Sequence, residues 1–535
     1  MPFAIVADLP LGTYHGAGQD GRPERFPSVA RLHAALLCAA GFGPRAVSTG
    51  PDIVDVREED LAALRWLEEN PPDGVRIPAL HLNIAHSTVY RDDGTIYRKK
   101  AVASVKKLAK TPGGGTAVGG QFAWIWAQDP PPAVRDCLEQ LCPDVASLGT
   151  TESPVRLTAV AAGDMEPTAV LDPDAGMFSA GVESVPRPAR GRTAELVAAH
   201  HAATGRPPSA ARDRIGTDEK SLSPVPPRSA VATARYRTRD RGPAEAPWPV
   251  AMVLPLDCVI EEDRRVGWAV AAHRALVRLI GYGAPPMVTG AYPAESGRPA
   301  NRLALHVLGP ETPSVPVPLR DAAGRGRSAL LLLIPAADTG DLEALQRAVS
   351  GLTSLRGPGG VTARVDRSDM RILDGGDFWQ RPETGHLRLW ETVPAAVPDT
   401  RGYAGWTFAD AALLSLAFVW KEFLPSVPGR GEQRYRLLAA AACERGAAVV
   451  QVRMERTSHV DMYVHKVNEH AVVRPYRAVL SLGELGGDRA VQAIGQSRHL
   501  GGGLLVPRDV PHPSGRAETS LDNGRGEGGG EHGAG

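Results

Sequence analysis

The stretch VAMVLPLDCVIEEDRRVGWAVAAHRALVRLIGYG (Val250–Gly283) decides the fold. Val250 to Leu254 is an apolar run of strand length, the charged loop EEDRR follows, and Val270, Leu276 and Val277 then mark the buried side of an amphipathic helix that Gly281 ends. The same order opens the chain. Phe3 to Leu9 reads as a strand, a polar, glycine-rich loop comes next, and SVARLHAALLCAAG repeats apolar residues at Val29, Leu32, Leu36 and Leu37, with Ser28 placed to cap the helix and Gly41 to end it.

Two strand–loop–helix openings followed by further strands predict an α+β protein built from ferredoxin-like βαββαβ units. Supporting strands are expected at Thr116–Ala127, Ala329–Ile334, Ala448–Val452 and Ala478–Leu482, and helices at Leu61–Glu69 and Val134–Leu148. From Met165 to Pro249 the composition turns to Pro, Gly, Ala and Arg, which reads as a flexible loop or an interdomain linker. The expected domains are 1–240 and 249–508, followed by a glycine-rich, charged tail at 509–535 that lacks apolar periodicity and should be disordered.

The 535 residues exceed what one core holds, in keeping with two domains. Gly and Pro together number 105, so short elements and many turns are expected, not a helical bundle. Net charge is zero, so any nucleic-acid surface must come from local clustering. The five cysteines are scattered without a CxxC pair, which argues against a disulfide framework or a zinc knuckle. The N-terminus has no basic leader and no apolar run reaches membrane-spanning length, so a soluble, cytoplasmic protein is expected.

Chemistry concentrates near the C-terminus. In GQSRHLGGGLLVP (Gly495–Pro507), Gly501, Gly502 and Gly503 can bring backbone N–H groups close to a phosphate, beside the charge of Arg498 and the imidazole of His499. The stretch TSHVDMYVHKVNEH, if a strand, places His459, Asp461, Tyr463 and His465 on one face at steps of about 6.6 Å, with Val460, Met462 and Val464 on the other. Lys466, Arg474, Tyr476 and Arg477 follow, a mixture of charge and aromatic ring suited to RNA, and RYRTRDR (Arg235–Arg241) has the same character. His273 falls near the buried edge of its helix. No nucleotide P-loop ending occurs, and His459 with Asp461 lacks further nameable metal ligands, so no cofactor and no metal are expected.

LPLGTYHG, FPSVARLHAALLCAAG, GGQFAWIW, LEQLCPDVASLGTTESPVRL, LWETVPAAVPDTRG and GQSRHLGGGLLVP, in that order, resemble the landmarks of the fused subunit of type I-G (formerly I-U) CRISPR effector complexes. That subunit joins a crRNA-handle-binding domain to a repeat-cleaving endoribonuclease domain, both of the RAMP superfamily. The resemblance implies two tandem RAMP domains with RRM-like, ferredoxin-type folds, partners in CRISPR repeat RNA and the other subunits of a Cascade-like complex, and metal-independent cleavage through the RNA's own 2′-hydroxyl. The expected base is His499, with His465 and His273 as alternatives, and His15 contacts the handle. Where the family pattern has Ser-Gly-His and Pro-His-Leu-Ala, this chain reads Thr289-Gly290-Ala291 and Asn301-Arg302-Leu303-Ala304. A noncatalytic RNA-binding scaffold of the same kind is therefore the alternative reading.

Overall fold

The computed structural model describes residues 2–16, 24, 26–50, 53–82, 89–99, 102–110, 115–179, 181–204, 229–239, 246–293, 295, 297–317, 319–320, 324–367, 369–400, 402, 404–457, 459–465 and 473–511. They form two compact units, Met1–Pro243 and Ala244–Gly535.

The N-terminal unit is built on strands β1 (Phe3–Asp8), β2 (Gly74–Arg76), β3 (Phe122–Trp126) and β4 (Arg156–Ala161), with helices α1 (Val29–Phe42), α2 (Glu58–Glu69) and α3 (Pro132–Leu141) in the connections. The antiparallel order β4-β1-β3-β2 is the ferredoxin-like 4-1-3-2 arrangement. Ser28 caps α1 by accepting from the Arg31 N–H, but the helix runs through Gly41 and closes when the Gly43 N–H reaches the Ala39 carbonyl. The expected strand at Thr116–Ala127 is two strands, Thr116–Gly119 and β3, and α3 gives way to a single 3₁₀ turn at Cys142–Asp144.

Within the stretch expected to be a loop or linker, the described residues hold three strands and a helix. β5 (Ala169–Leu171), β6 (Val182–Pro188) and β7 (Val231–Thr238) extend the sheet to seven strands, and α4 (Arg192–Thr204) follows β6. Pro186 and Pro188 lie in β6 at the sheet edge, where a missing N–H breaks no inner ladder; of the two stretches richest in proline and arginine, RPPSAARDRIG lies outside the described residues, as does SPVPPRSA up to Arg228. RYRTRDR begins within β7.

The C-terminal unit holds two more 4-1-3-2 sheets. The first comprises β8 (Val250–Pro255), α5 (Arg265–Ile280), β9 (Ala304–Leu308), β10 (Ala329–Ile334), α6 (Thr339–Gly351) and β11 (Arg371–Asp374), with order β11-β8-β10-β9. The second comprises β12 (His386–Thr392), α7 (Phe408–Val419), α8 (Gly431–Glu444), β13 (Ala448–Met454), β14 (Tyr476–Ser481) and β15 (Leu505–Pro511), with order β15-β12-β14-β13. One apolar core containing Trp248, Leu331, Trp379, Trp390, Trp420 and Leu480 serves both. In the last repeat no helix joins β14 to β15, and the glycine-rich segment takes that place. Among the described residues no helix is long and apolar enough to cross a membrane.

Candidate RNA-processing site

Burial first fixes the glycine-rich loop. His306 sits in the middle of β9, wholly buried, under the loop, and burial lowers its imidazole to about pKa 4 against the opposing pull of the Arg498 and Gly501 backbone. Leu305 donates its N–H to the His499 carbonyl at 3.1 Å. Gly501, at φ +91°, lies so close to α5 that a Cβ would come within 2.8 Å of the Ala269 Cβ. These glycines permit close packing, which corrects the expectation that they form an open phosphate cradle. Gly501, Gly502 and Gly503 are buried, and the N–H groups of Gly502 and Gly503 already go to the Ser497 and Pro394 carbonyls. Arg498 is corrected likewise: its guanidinium pairs with Asp399 at 2.6 Å and reaches the Gly495 carbonyl at 3.0 Å.

His499 remains partly exposed at the loop's edge. Its Nε2 accepts the Arg302 backbone N–H at 3.4 Å, and its ring meets Trp248 edge-on at 6.2 Å. Burial, then the positive charges of Arg498 and Arg302 with His306 and Arg298 beyond them, hold the imidazole well below its ordinary pKa.

Arg302 ties this loop to the helix carrying His273. Its guanidinium donates to the Thr289 carbonyl at 3.2 Å, its carbonyl accepts from the Trp248 indole at 2.8 Å, and it passes over Gly290, where a Cβ would lie 1.2 Å from Nη1. Gly290 is the left-handed residue that ends the short helix Pro286–Thr289. His273, on α5, hydrogen-bonds through Nε2 to the Val288 carbonyl of that helix at 2.8 Å. Burial lowers its pKa, and Arg302 and Arg274 lower it further, while the Val288 carbonyl opposes them. Burial also raises the Tyr292 phenol, which feels both Arg302 and Arg298. Thus His273, His499, Arg302, Arg298 and Tyr292 share one region, and the two places where the family pattern changes, 289–291 and 301–304, meet within it. Sequence reasoning missed Arg302 as the link, because its contact with His499 spans 197 residues.

The other named residues are distributed differently. Residues 459–465 are not a strand: Val460–Met462 form a 3₁₀ turn, Val464 is buried, and His459 and His465 are exposed. The turn borders the glycine-rich loop, since a Cβ on Gly502 would lie 3.5 Å from the Tyr463 carbonyl. Tyr463 is partly buried, with its phenol raised by burial and by Glu455. Lys466 lies outside the described residues. Arg474 is exposed. Tyr476 is wholly buried against Phe408, so its ring offers no face to a base. Arg477 pairs with Glu455 at 2.8 Å and with Glu262, beside a cavity of about 170 Å³ that Arg453, Arg508, Gln451 and Glu391 also line.

In the N-terminal unit, YHG and LGTTESPV dock on each other. The His15 N–H donates to Ser153 Oγ at 2.7 Å, and the Thr150 N–H donates to the His15 carbonyl at 3.1 Å. The His15 ring lies over Gly115, where a Cβ would approach it to 2.5 Å.

No protein-family model and no curated protein matches the chain. Solved structures similar to it include a Cas6 product complex, at 16% identity and a TM-score of 0.29, over 49% of this chain and 100% of that one. A Cas6-related protein from Pyrococcus furiosus is 12% identical, with a TM-score of 0.28 over 49% of this chain and 98% of that one. A RAMP protein described as binding different RNA substrates is 10% identical, with a TM-score of 0.28 over 48% of this chain and 99% of that one.

Proposed function

We propose that this chain binds CRISPR repeat RNA, cleaves it by transesterification without a metal ion, and retains the crRNA handle as a subunit of a type I-G effector complex. The observation that carries the cleavage reading is the meeting of His273 and His499 through Arg302. Burial, helped by the neighbouring cations, holds the His499 imidazole below its ordinary pKa, so it can take the proton of the 2′-hydroxyl once the long bond from the Arg302 N–H is given up. The 2′-oxygen attacks phosphorus and the P–O5′ bond breaks. His273, whose pKa burial lowers and the Val288 carbonyl partly restores, gives a proton to the departing 5′-oxygen. His499 has gained a proton and His273 has lost one, and the products are a 2′,3′-cyclic phosphate and a 5′-hydroxyl. In this reading Arg302 and Arg298 balance charge on the phosphorane. An arriving phosphate also offsets their charge and lifts both imidazoles toward the neutral range.

The N-terminal unit is the handle-binding part in this reading, with His15 set by Ser153 and Thr150. A second reading, a binder that does not cut, is favoured by Ala291 and Arg302 standing where the family pattern has histidines. Incubating the purified chain with its cognate repeat RNA in EDTA separates the two. Cleavage that stops when a deoxynucleotide precedes the scissile phosphate supports the nuclease, and an intact, tightly bound repeat supports the scaffold.

A further inference from the structure

We propose that the outer face of α5, ending at Tyr282, is a platform for unpaired RNA, on which Arg274 and Arg278 hold phosphates and the Tyr282 ring stacks on a base of the same strand. The inference rests on the RNA-binding reading and adds where the strand runs. Arg274 and Arg278 are exposed and one helical turn apart, about 6 Å along the axis. Like charges at this spacing weaken a helix, and among the described residues neither has an acidic partner. Other arginines of the same unit do have acidic partners, among them Arg265 with Glu311, Arg327 with Asp366 and Arg388 with Asp509. The helix dipole favours Arg278 in the last turn but does nothing for Arg274 in mid-helix.

Tyr282 continues the row. It exposes 110% of its reference area, so the whole ring stands in solvent. Gly281 and Gly283 flank it at φ +84° and +91°, conformations glycine adopts freely, and a Cβ on either would meet nothing within 4 Å. An aromatic ring at the end of an unneutralised basic row is the arrangement that binds single strands, with phosphates on the cations and a base on the ring. His273 precedes Arg274 directly, and the charge of Arg274 reaches its imidazole. A strand lying on this row therefore leads to the candidate site.

The test uses the full chain with two fluorescent probes, a short single-stranded oligoribonucleotide and a blunt RNA duplex of the same nucleotide number. Tyr282→Ala should weaken the single strand roughly 10-fold and leave the duplex unchanged, while Tyr282→Trp should restore binding. Arg274→Gln with Arg278→Gln should lower the single-strand salt slope by about 1.4, or 0.7 per lost phosphate contact. Wild-type affinity of Tyr282→Ala for the single strand would overturn the platform, as would an equal loss on both probes. Intact RNA affinity with loss of assembly onto a protein subunit would overturn it in favour of a protein contact. If the wild type binds neither probe, the RNA-binding reading itself fails.

Discussion

Arg498 and Asp399 form a 2.6 Å ion pair at the base of the glycine-rich loop, each side chain only 11% exposed, and Ser415 donates to the second carboxylate oxygen. Removing one charge would strand the other in a place water barely reaches. Asp399→Asn should therefore cost about 3 kcal/mol in chemical denaturation, and Asp399→Leu combined with Arg498→Met should cost less than either single change. Additive losses in the double variant would show that the pair is not coupled.

His306 and His33 are buried and each is pushed down to about 4 by burial. Their unfolded forms bind protons at higher pH than the folded forms, so stability is fully present above about pH 6.5 and falls as pH drops toward 4. Each can contribute a loss on the order of 3 kcal/mol across that window. His306→Leu should flatten the stability–pH curve between these limits, and a curve parallel to wild type would remove His306 from the account.

On the proposed cleavage reading, Arg302→Gln should slow single-turnover cleavage roughly 10²-fold, the usual effect of losing one group that stabilises transition-state charge. Because Arg302 holds the imidazoles of His273 and His499 down, its removal should also move the acid limb of the pH–rate profile to higher pH. A slower enzyme with an unmoved acid limb would mean that Arg302 acts only through packing.

Ser153 is wholly buried, and its hydroxyl takes the His15 N–H at 2.7 Å. Ser153→Ala leaves that donor without its partner, at a cost of about 1–2 kcal/mol in stability. Affinity for an RNA carrying only the handle should fall, while cleavage by the C-terminal unit at saturating repeat should hold. Unchanged handle affinity would separate His15 from RNA recognition.

The two openings that sequence periodicity picked out, Phe3–Leu9 with SVARLHAALLCAAG and Val250–Leu254 with its helix, are the first strand and helix of two 4-1-3-2 sheets. Two strands of the third sheet, Ala448–Val452 and Ala478–Leu482, were expected, but not its repeat, because its second crossover, between β14 and β15, has no helix and so carries no helical period to read. β6 and β7 were hidden by proline and arginine, residues that an edge strand tolerates. Residues 459–465 alternate as a strand does, yet they fold as a 3₁₀ turn, since alternation alone supplies no neighbouring strand to pair with. His499 and His273 could be named from sequence as ionisable residues in suggestive surroundings. That Arg498 is neutralised by Asp399, and that Tyr476 is enclosed, depend on contacts between distant parts of the chain.

The bond from Arg302 to His499 also sets an order in time. Synthesis delivers His273 and Arg302 with the first sheet of the C-terminal unit, whereas His499 arrives only just before β15. A ribosome-bound chain that has not yet released residues 495–505 carries His273 and Arg302 without His499 and lacks the loop that covers His306. If the chain cuts repeats as proposed, cutting has to wait until this loop has left the ribosome and closed over His306.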